Sequence, residues 1–208
     1  MKVVVITVPM TRPSWIKAVI YPVDGNKAIE YEKPIRCPAN GILAKTMKRD
    51  EEVKVIYVMT IGKNSFCEQN KEVFIEELET INAEIGAILS YDTVDIEFLA
   101  TKQTYNKLIT DLTDKIPGNA ELYADITYGS KPEILSLFCA LRFAEDFCNA
   151  VVQYFVYGKA ERNRKTNELE DLMIYDITSL YYLFILMGSL RASDAESASK
   201  KLKDFFKL

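Results

Sequence analysis

Two uninterrupted apolar runs constrain this chain most: Val3–Val8 (VVVITV) and Val53–Thr60 (VKVIYVMT). A strand with one wet face alternates apolar and polar residues, whereas these hardly alternate and need cover on both faces, as in a mostly parallel sheet flanked by helices. Between residues 66 and 89, Val73, Phe74, Leu78, Ile81, Ile85 and Ile88 recur at three and four, the pattern of a helix lying on such a sheet. The same reading predicts strands over 94–100, 122–126, 151–157 and 172–175, and helices over 38–47, 105–116, 132–147 and 179–190. Ile16–Tyr21 and Ala28–Tyr31 bracket Asp24-Gly25-Asn26, which predicts a hairpin-like excursion before the first helix. The expected fold is α/β: a Rossmann-like open, mostly parallel sheet with helices on both faces and a C-terminal helical extension.

Composition removes several chemistries. The 208 residues contain no histidine, which excludes within the chain a Ser-His-Asp or Cys-His nucleophile and His-ligated zinc chemistry. Lys and Arg number 26 against 30 Asp and Glu, a formal charge of -4, so no general basic surface for duplex nucleic acid is expected and any anion site must be local. Cys37, Cys67, Cys139 and Cys148 show no C-x-x-C spacing and read as buried free thiols. Trp15 likewise reads as a core residue. The apolar stretches 3–8 and 180–190 are short of the roughly 20 residues a spanning helix needs, so the expected location is cytoplasmic. Glu161, Glu170 and Asp171 have no spacing that fixes a metal, and neither metal nor cofactor is expected.

In an open α/β sheet, ligands bind beyond the carboxyl ends of the strands, where strand order reverses. Four predicted strand exits are polar: 7–14, 60–65, 127–131 and 158–165. In the third, Asp125-Ile126 ends a strand, Gly129 gives a tight turn, Ser130 can cap, and Pro132 opens a helix. Such a turn aims backbone N–H groups and a helix dipole outward beside Lys131, which suits an anion; an ordinary capped helix start reads equally well. Thr11, Arg12 and Ser14 offer donors after the first strand, and Thr60, Lys63 and Asn64 after VKVIYVMT. Tyr128 and Tyr157 are candidates for base stacking, though Tyr at such positions is usually structural. The dense basic run is Lys159, Arg162, Arg164 and Lys165, ordinarily a solvated loop.

The segment Asp125-Ile126-Thr127-Tyr128-Gly129-Ser130-Lys131-Pro132, followed by an apolar helix, resembles the signature turn of CRISPR-associated Rossmann-fold (CARF) proteins. Pro38–Thr46 with the strand after it, and Tyr175–Leu180, are similar to that family as well, and the likeness runs from Met1 to about Leu190. Tyr128 stands where that family often has His, Lys131 where Arg is frequent, and Pro132 follows directly.

The resemblance implies a CARF ligand-binding domain over residues 1–176 and a helical linker or dimerisation segment over 177–208. It implies a homodimer whose strand ends form one two-fold pocket for a cyclic oligoadenylate, the tetra- or hexa-adenylate messenger of type III CRISPR antiviral systems. The expected contacts are Thr11, Arg12, Ser14, Thr60, Lys63, Asn64, Thr127, Tyr128, Gly129, Ser130 and Lys131. Such sensors are commonly coupled to an effector domain, and Phe205, Phe206 and Leu208 at the C-terminal end fit a connection to one, a dimer contact, or packing back. The alternative is a metal-independent ring nuclease in which Lys131, Ser130 and Thr11 align a ribose 2′-OH on the next phosphate and stabilise developing charge. A CARF-type scaffold or transcriptional regulator is the third reading.

Overall fold

The computed structural model describes residues 1–62, 64–98, 101–163 and 168–206; Lys63, Arg164, Lys165 and Leu208 lie outside them. The chain divides into two units, Met1–Ile177 and Thr178–Leu208.

The first unit is an α/β domain around one open seven-stranded sheet. Its strands are β1 (Lys2–Thr7), β2 (Val23–Asp24), β3 (Glu52–Ile61), β4 (Ile88–Glu97), β5 (Glu121–Asp125), β6 (Val151–Arg162) and β7 (Leu169–Asp176). They lie in the order β2-β7-β6-β5-β1-β3-β4. From β4 through β6 all neighbours are parallel, while β7 runs antiparallel to β6 and pairs in parallel with β2. After the short β2 at the edge beside β7, the chain lays β3 and β4 on one side of β1, then β5 and β6 on the other. Strand order therefore reverses at β1 and β5, whose carboxyl ends are Thr7 and Asp125.

Four helices connect these strands: α1 (Pro38–Thr46), α2 (Cys67–Ile85), α3 (Lys102–Lys115) and α4 (Lys131–Phe147). Val4 and Ile6 of β1 share a core with Ala39, Ile42 and Leu43 of α1 and Phe74 and Leu78 of α2. Val3 and Val5 face the other way and are fully buried too, as are Leu108, Leu112, Leu137 and Leu141 of α3 and α4. This two-sided burial is why the β1 sequence does not alternate.

Four expectations change. The helix read over 66–89 ends at Ile85, because Gly86 takes a left-handed conformation (φ 83) and donates its N–H to Asn82 O at 2.8 Å. Asn82 then holds both backbone groups of Ala87, each at 2.9 Å, and Ile88 starts β4, six residues before the predicted strand at Val94. The expected hairpin near Gly25 is instead a bridge from Val19 to Ile35 and a β2–β7 pairing. Lys159 and Arg162, read as loop, belong to β6, whose partner β7 starts at Leu169. Of the thiols read as buried, Cys37 and Cys67 are, whereas Cys139 is exposed on α4 and Cys148 half-buried at its end.

The second unit holds α5 (Thr178–Ser189) and α6 (Ala195–Phe206). Asp194 Oδ1 caps α6 by accepting Ser197 N–H at 2.7 Å. The polar segment before Leu202 is thus helical, and Phe205 is exposed. Among the described residues no helix is long and apolar enough to cross a membrane.

Candidate functional site

The reversal point is tied together by short-range polar contacts. Thr7 Oγ1 reaches Tyr128 O at 2.5 Å and Asp125 O at 3.2 Å. Asp125, 1% exposed, accepts Ala39 N–H from the first turn of α1 at 2.8 Å and Thr127 N–H at 2.9 Å, as well as the Thr127 hydroxyl. Burial raises the Asp125 carboxyl above its ordinary 3.8, with the Thr127 and Ala39 hydrogen bonds opposing that rise. Thr127 Oγ1 also accepts Gly158 N–H at 2.8 Å. A Cβ at Gly158 would lie 2.6 Å from Pro38 Cγ and 2.8 Å from Thr127 Oγ1, so this close passage of β6 requires glycine.

The turn before α4 adopts the expected capped start, but its positive end is already occupied. Ser130 Oγ accepts Glu133 N–H at 3.4 Å, while Glu133 Oε2 accepts Ser130 N–H at 2.8 Å, a reciprocal capping box. The Glu133 side chain is buried, and its Oε1 accepts the Thr60 hydroxyl at 3.3 Å. A resident carboxylate therefore sits where the sequence reading placed a ligand anion. The spacing Ser130-Lys131-Pro132-Glu133 is itself the S-x-x-E signature, so this residue was findable.

These contacts already engage several of the expected ligand residues. The Thr60 and Thr127 hydroxyls make internal hydrogen bonds, and Ser130 Oγ accepts in its cap. Gly129 (φ 91) is needed for backbone shape: a Cβ there would lie 2.8 Å from Glu133 Oε2 and 3.2 Å from Thr7. Tyr128 stacks on Phe74 with ring centres 6.3 Å apart, and burial raises its hydroxyl pKa above the ordinary value. Arg12, Ser14, Asn64 and Lys131 are exposed. Lys131 has no ion pair among the described residues, and Lys63 lies outside them.

A concavity beside this turn has a volume of about 170 Å³ and is lined by Thr11, Trp15, Lys17, Tyr21, Tyr128 and Arg162, with Ile16, Ala160 and Leu169 completing it. Of the predicted ligand residues, it gathers Thr11 and Tyr128. Trp15, read from sequence as core, is 61% exposed on a 3-10 turn, Pro13–Trp15. The Arg162 guanidinium stands 6.0 Å from the Trp15 ring centre and donates to Trp15 O at 2.8 Å. That double tie presents an indole and a cation as one surface. Tyr21 is buried beside Asp125, and its hydroxyl pKa is pushed up to about 12, mainly by burial, so it stays a neutral hydrogen-bonding group. A larger concavity of about 540 Å³ lies between residues 31–36 and α2. Its cations are already matched, Lys33 with Glu84 at 3.2 Å and Arg36 with Glu77 at 3.9 Å.

The pocket offers an aromatic plane, two cations and hydroxyls. Among the described residues no group of three or more acidic or thiol side chains is placed to hold a metal ion. Comparison with known proteins adds no relative: no protein-family model matches the chain, and no curated protein matches it.

Proposed function

We propose that this chain is a binding domain for a cyclic oligoadenylate, the tetra- or hexa-adenylate, held at the strand-order reversal and shared between two copies of the chain. The observation that carries this reading is the Trp15–Arg162 pair at the mouth of the pocket. A purine stacks on an exposed indole, and a guanidinium beside it serves both the base and a phosphodiester. Lys17 supplies a second cation, and Lys131, without an ion pair among the described residues, another at the start of α4. With the α4 terminus occupied by Glu133, phosphate contacts fall on these side chains.

Volume argues for sharing. About 170 Å³ is below the roughly 300 Å³ at which ordinary small-molecule pockets begin. A concavity of this size suits one base of a ring rather than the whole ring. A ring with two-fold symmetry offers equivalent bases to two such pockets, which suits a homodimer. In the sensing role, binding biases the arrangement of the two copies and so of whatever follows them in the chain.

The test is incubation of the chain with labelled cyclic tri-, tetra- and hexa-adenylate in EDTA, with binding read by gel shift and products by chromatography. Binding of one ring that is recovered intact is expected. Linear products ending in a 2′,3′-cyclic phosphate would replace the sensor with a ring nuclease, and failure of every ring to bind would overturn the reading.

A further inference from the structure

The loop carrying the pocket wall is held from an unexpected direction. Four consecutive carbonyls after β1 accept hydrogen bonds from the start of α2 and the residue before it. Cys67 Sγ reaches Val8 O at 3.5 Å and Pro9 O at 3.6 Å, and Phe66 N–H donates to Met10 O at 3.2 Å. Asn70 Nδ2 donates to Pro9 O at 2.7 Å and to Thr11 O at 2.8 Å.

Asn70 is 1% exposed, and its buried Oδ1 has no hydrogen-bond partner among the described residues. An unmatched buried acceptor is costly, and native structures hold few. The amide orientation is nevertheless fixed, because turning it over would set Oδ1 against two carbonyl oxygens. The residue thus keeps an unsatisfied acceptor while delivering two donors to the loop. Immediately beyond Thr11, Arg12 O accepts Trp15 N–H at 2.9 Å and closes the turn that displays the indole. Pro9 and Pro13 fix φ at two points of the same stretch.

We infer that Asn70 is a positioning residue for the pocket: by gripping Pro9 O and Thr11 O it sets the place of the Thr11–Trp15 wall. This rests on the pocket being the ligand site. Its immediate consequence, the placement of Trp15, is measurable without any ligand.

Trp15 is the only tryptophan of the chain, so its emission and its quenching by acrylamide report this wall alone. The variants are Asn70→Ala, Asn70→Asp, which keeps the side-chain size and removes the donors, and the milder Asn70→Ser. Asn82→Ala is the control: the same residue type on the same helix, holding Ala87 at the other end. The Asn70 variants are expected to change the Trp15 quenching constant about twofold and to weaken cyclic tetra- or hexa-adenylate binding about tenfold. Asn82→Ala is expected to melt earlier with both readouts unchanged. If the folded Asn70 variants quench and bind as Asn82→Ala does, Asn70 is structural only and the inference falls. If Asn70→Ala does not fold, Asn70→Ser decides by the same criterion. If no ring binds the unaltered chain while the Asn70 variants still shift the quenching of Trp15, the proposed ligand is wrong and the positioning role stands.

Discussion

The Asp125 carboxylate accepts the Ala39 N–H at 2.8 Å across 86 residues of sequence, joining the carboxyl end of β5 to the first turn of α1 at a buried point. Removing it in Asp125→Ala strands the Ala39 and Thr127 N–H groups. The expected loss is about 2–4 kcal/mol, read as a lower urea midpoint at unchanged slope.

The same carboxyl has a raised pKa in the folded state, chiefly through burial. Just above the ordinary value of 3.8 the folded chain still holds a proton that the unfolded chain has released. The contribution of this group to stability is therefore full below that value and declines as pH rises through the folded pKa. Asp125→Asn lacks the titration. The stability advantage of the unaltered chain over Asp125→Asn should accordingly shrink as pH rises above 3.8, measured by paired urea melts at each pH.

Glu133 closes the α4 cap and accepts the Thr60 hydroxyl. Glu133→Ala leaves Ser130 N–H and Thr60 Oγ1 without these partners and should cost about 1–3 kcal/mol. Because the vacated helix terminus no longer carries a resident negative charge, phosphate-ligand affinity should hold or rise. Calorimetric titration with cyclic tetra-adenylate beside a thermal melt separates the two effects, and a parallel fall in both would assign Glu133 to the ligand.

Trp15→Ala removes an exposed side chain and should change the melting temperature little. Its expected effect is on binding, a loss of about 5- to 150-fold, the size of one base–aromatic stack of about 1–3 kcal/mol. Arg162→Ala should weaken binding as well and reduce its dependence on salt, because one phosphate-facing cation is gone. Filter binding at two salt concentrations checks both.

Thiol accessibility gives an independent check of the fold. Cys139 should react with an aromatic disulfide reagent at once and Cys148 more slowly. Cys37 and Cys67 are buried, and burial pushes both thiols up, Cys37 far more so, so they should stay silent until denaturant is added.

The central strands and helices were legible because two-sided burial leaves unbroken apolar runs in β1 and β3, and the helix face of α2 repeats at three and four. Boundaries were less so: Ile88 fits the helical spacing of α2, and Gly86 alone marks the break before it. The site was legible only in part. Thr11 and Tyr128 sit near their own strand exits, where local pattern suffices. Trp15 was misread because it depends on Arg162, 147 residues away, and one chain pattern carries no trace of that pairing. The spacing of Glu133 from Ser130 is local, but its burial depends on Thr60, 73 residues away, which the local pattern does not carry.

β6 and β7 extend past the end of β5: the β5–β6 ladder stops at Asp125 and Val156, while β6 continues to Arg162 against β7 alone. The segment carrying Arg162 is thus a two-stranded ribbon, and such a ribbon by itself is marginally stable. In hydrogen exchange, amides from Lys159 to Arg162 should open by local fluctuation long before those of Val3 to Ile6. One wall of the pocket is then held less firmly than the centre of the sheet, and a bound molecule that bridges Trp15 and Arg162 would slow that exchange.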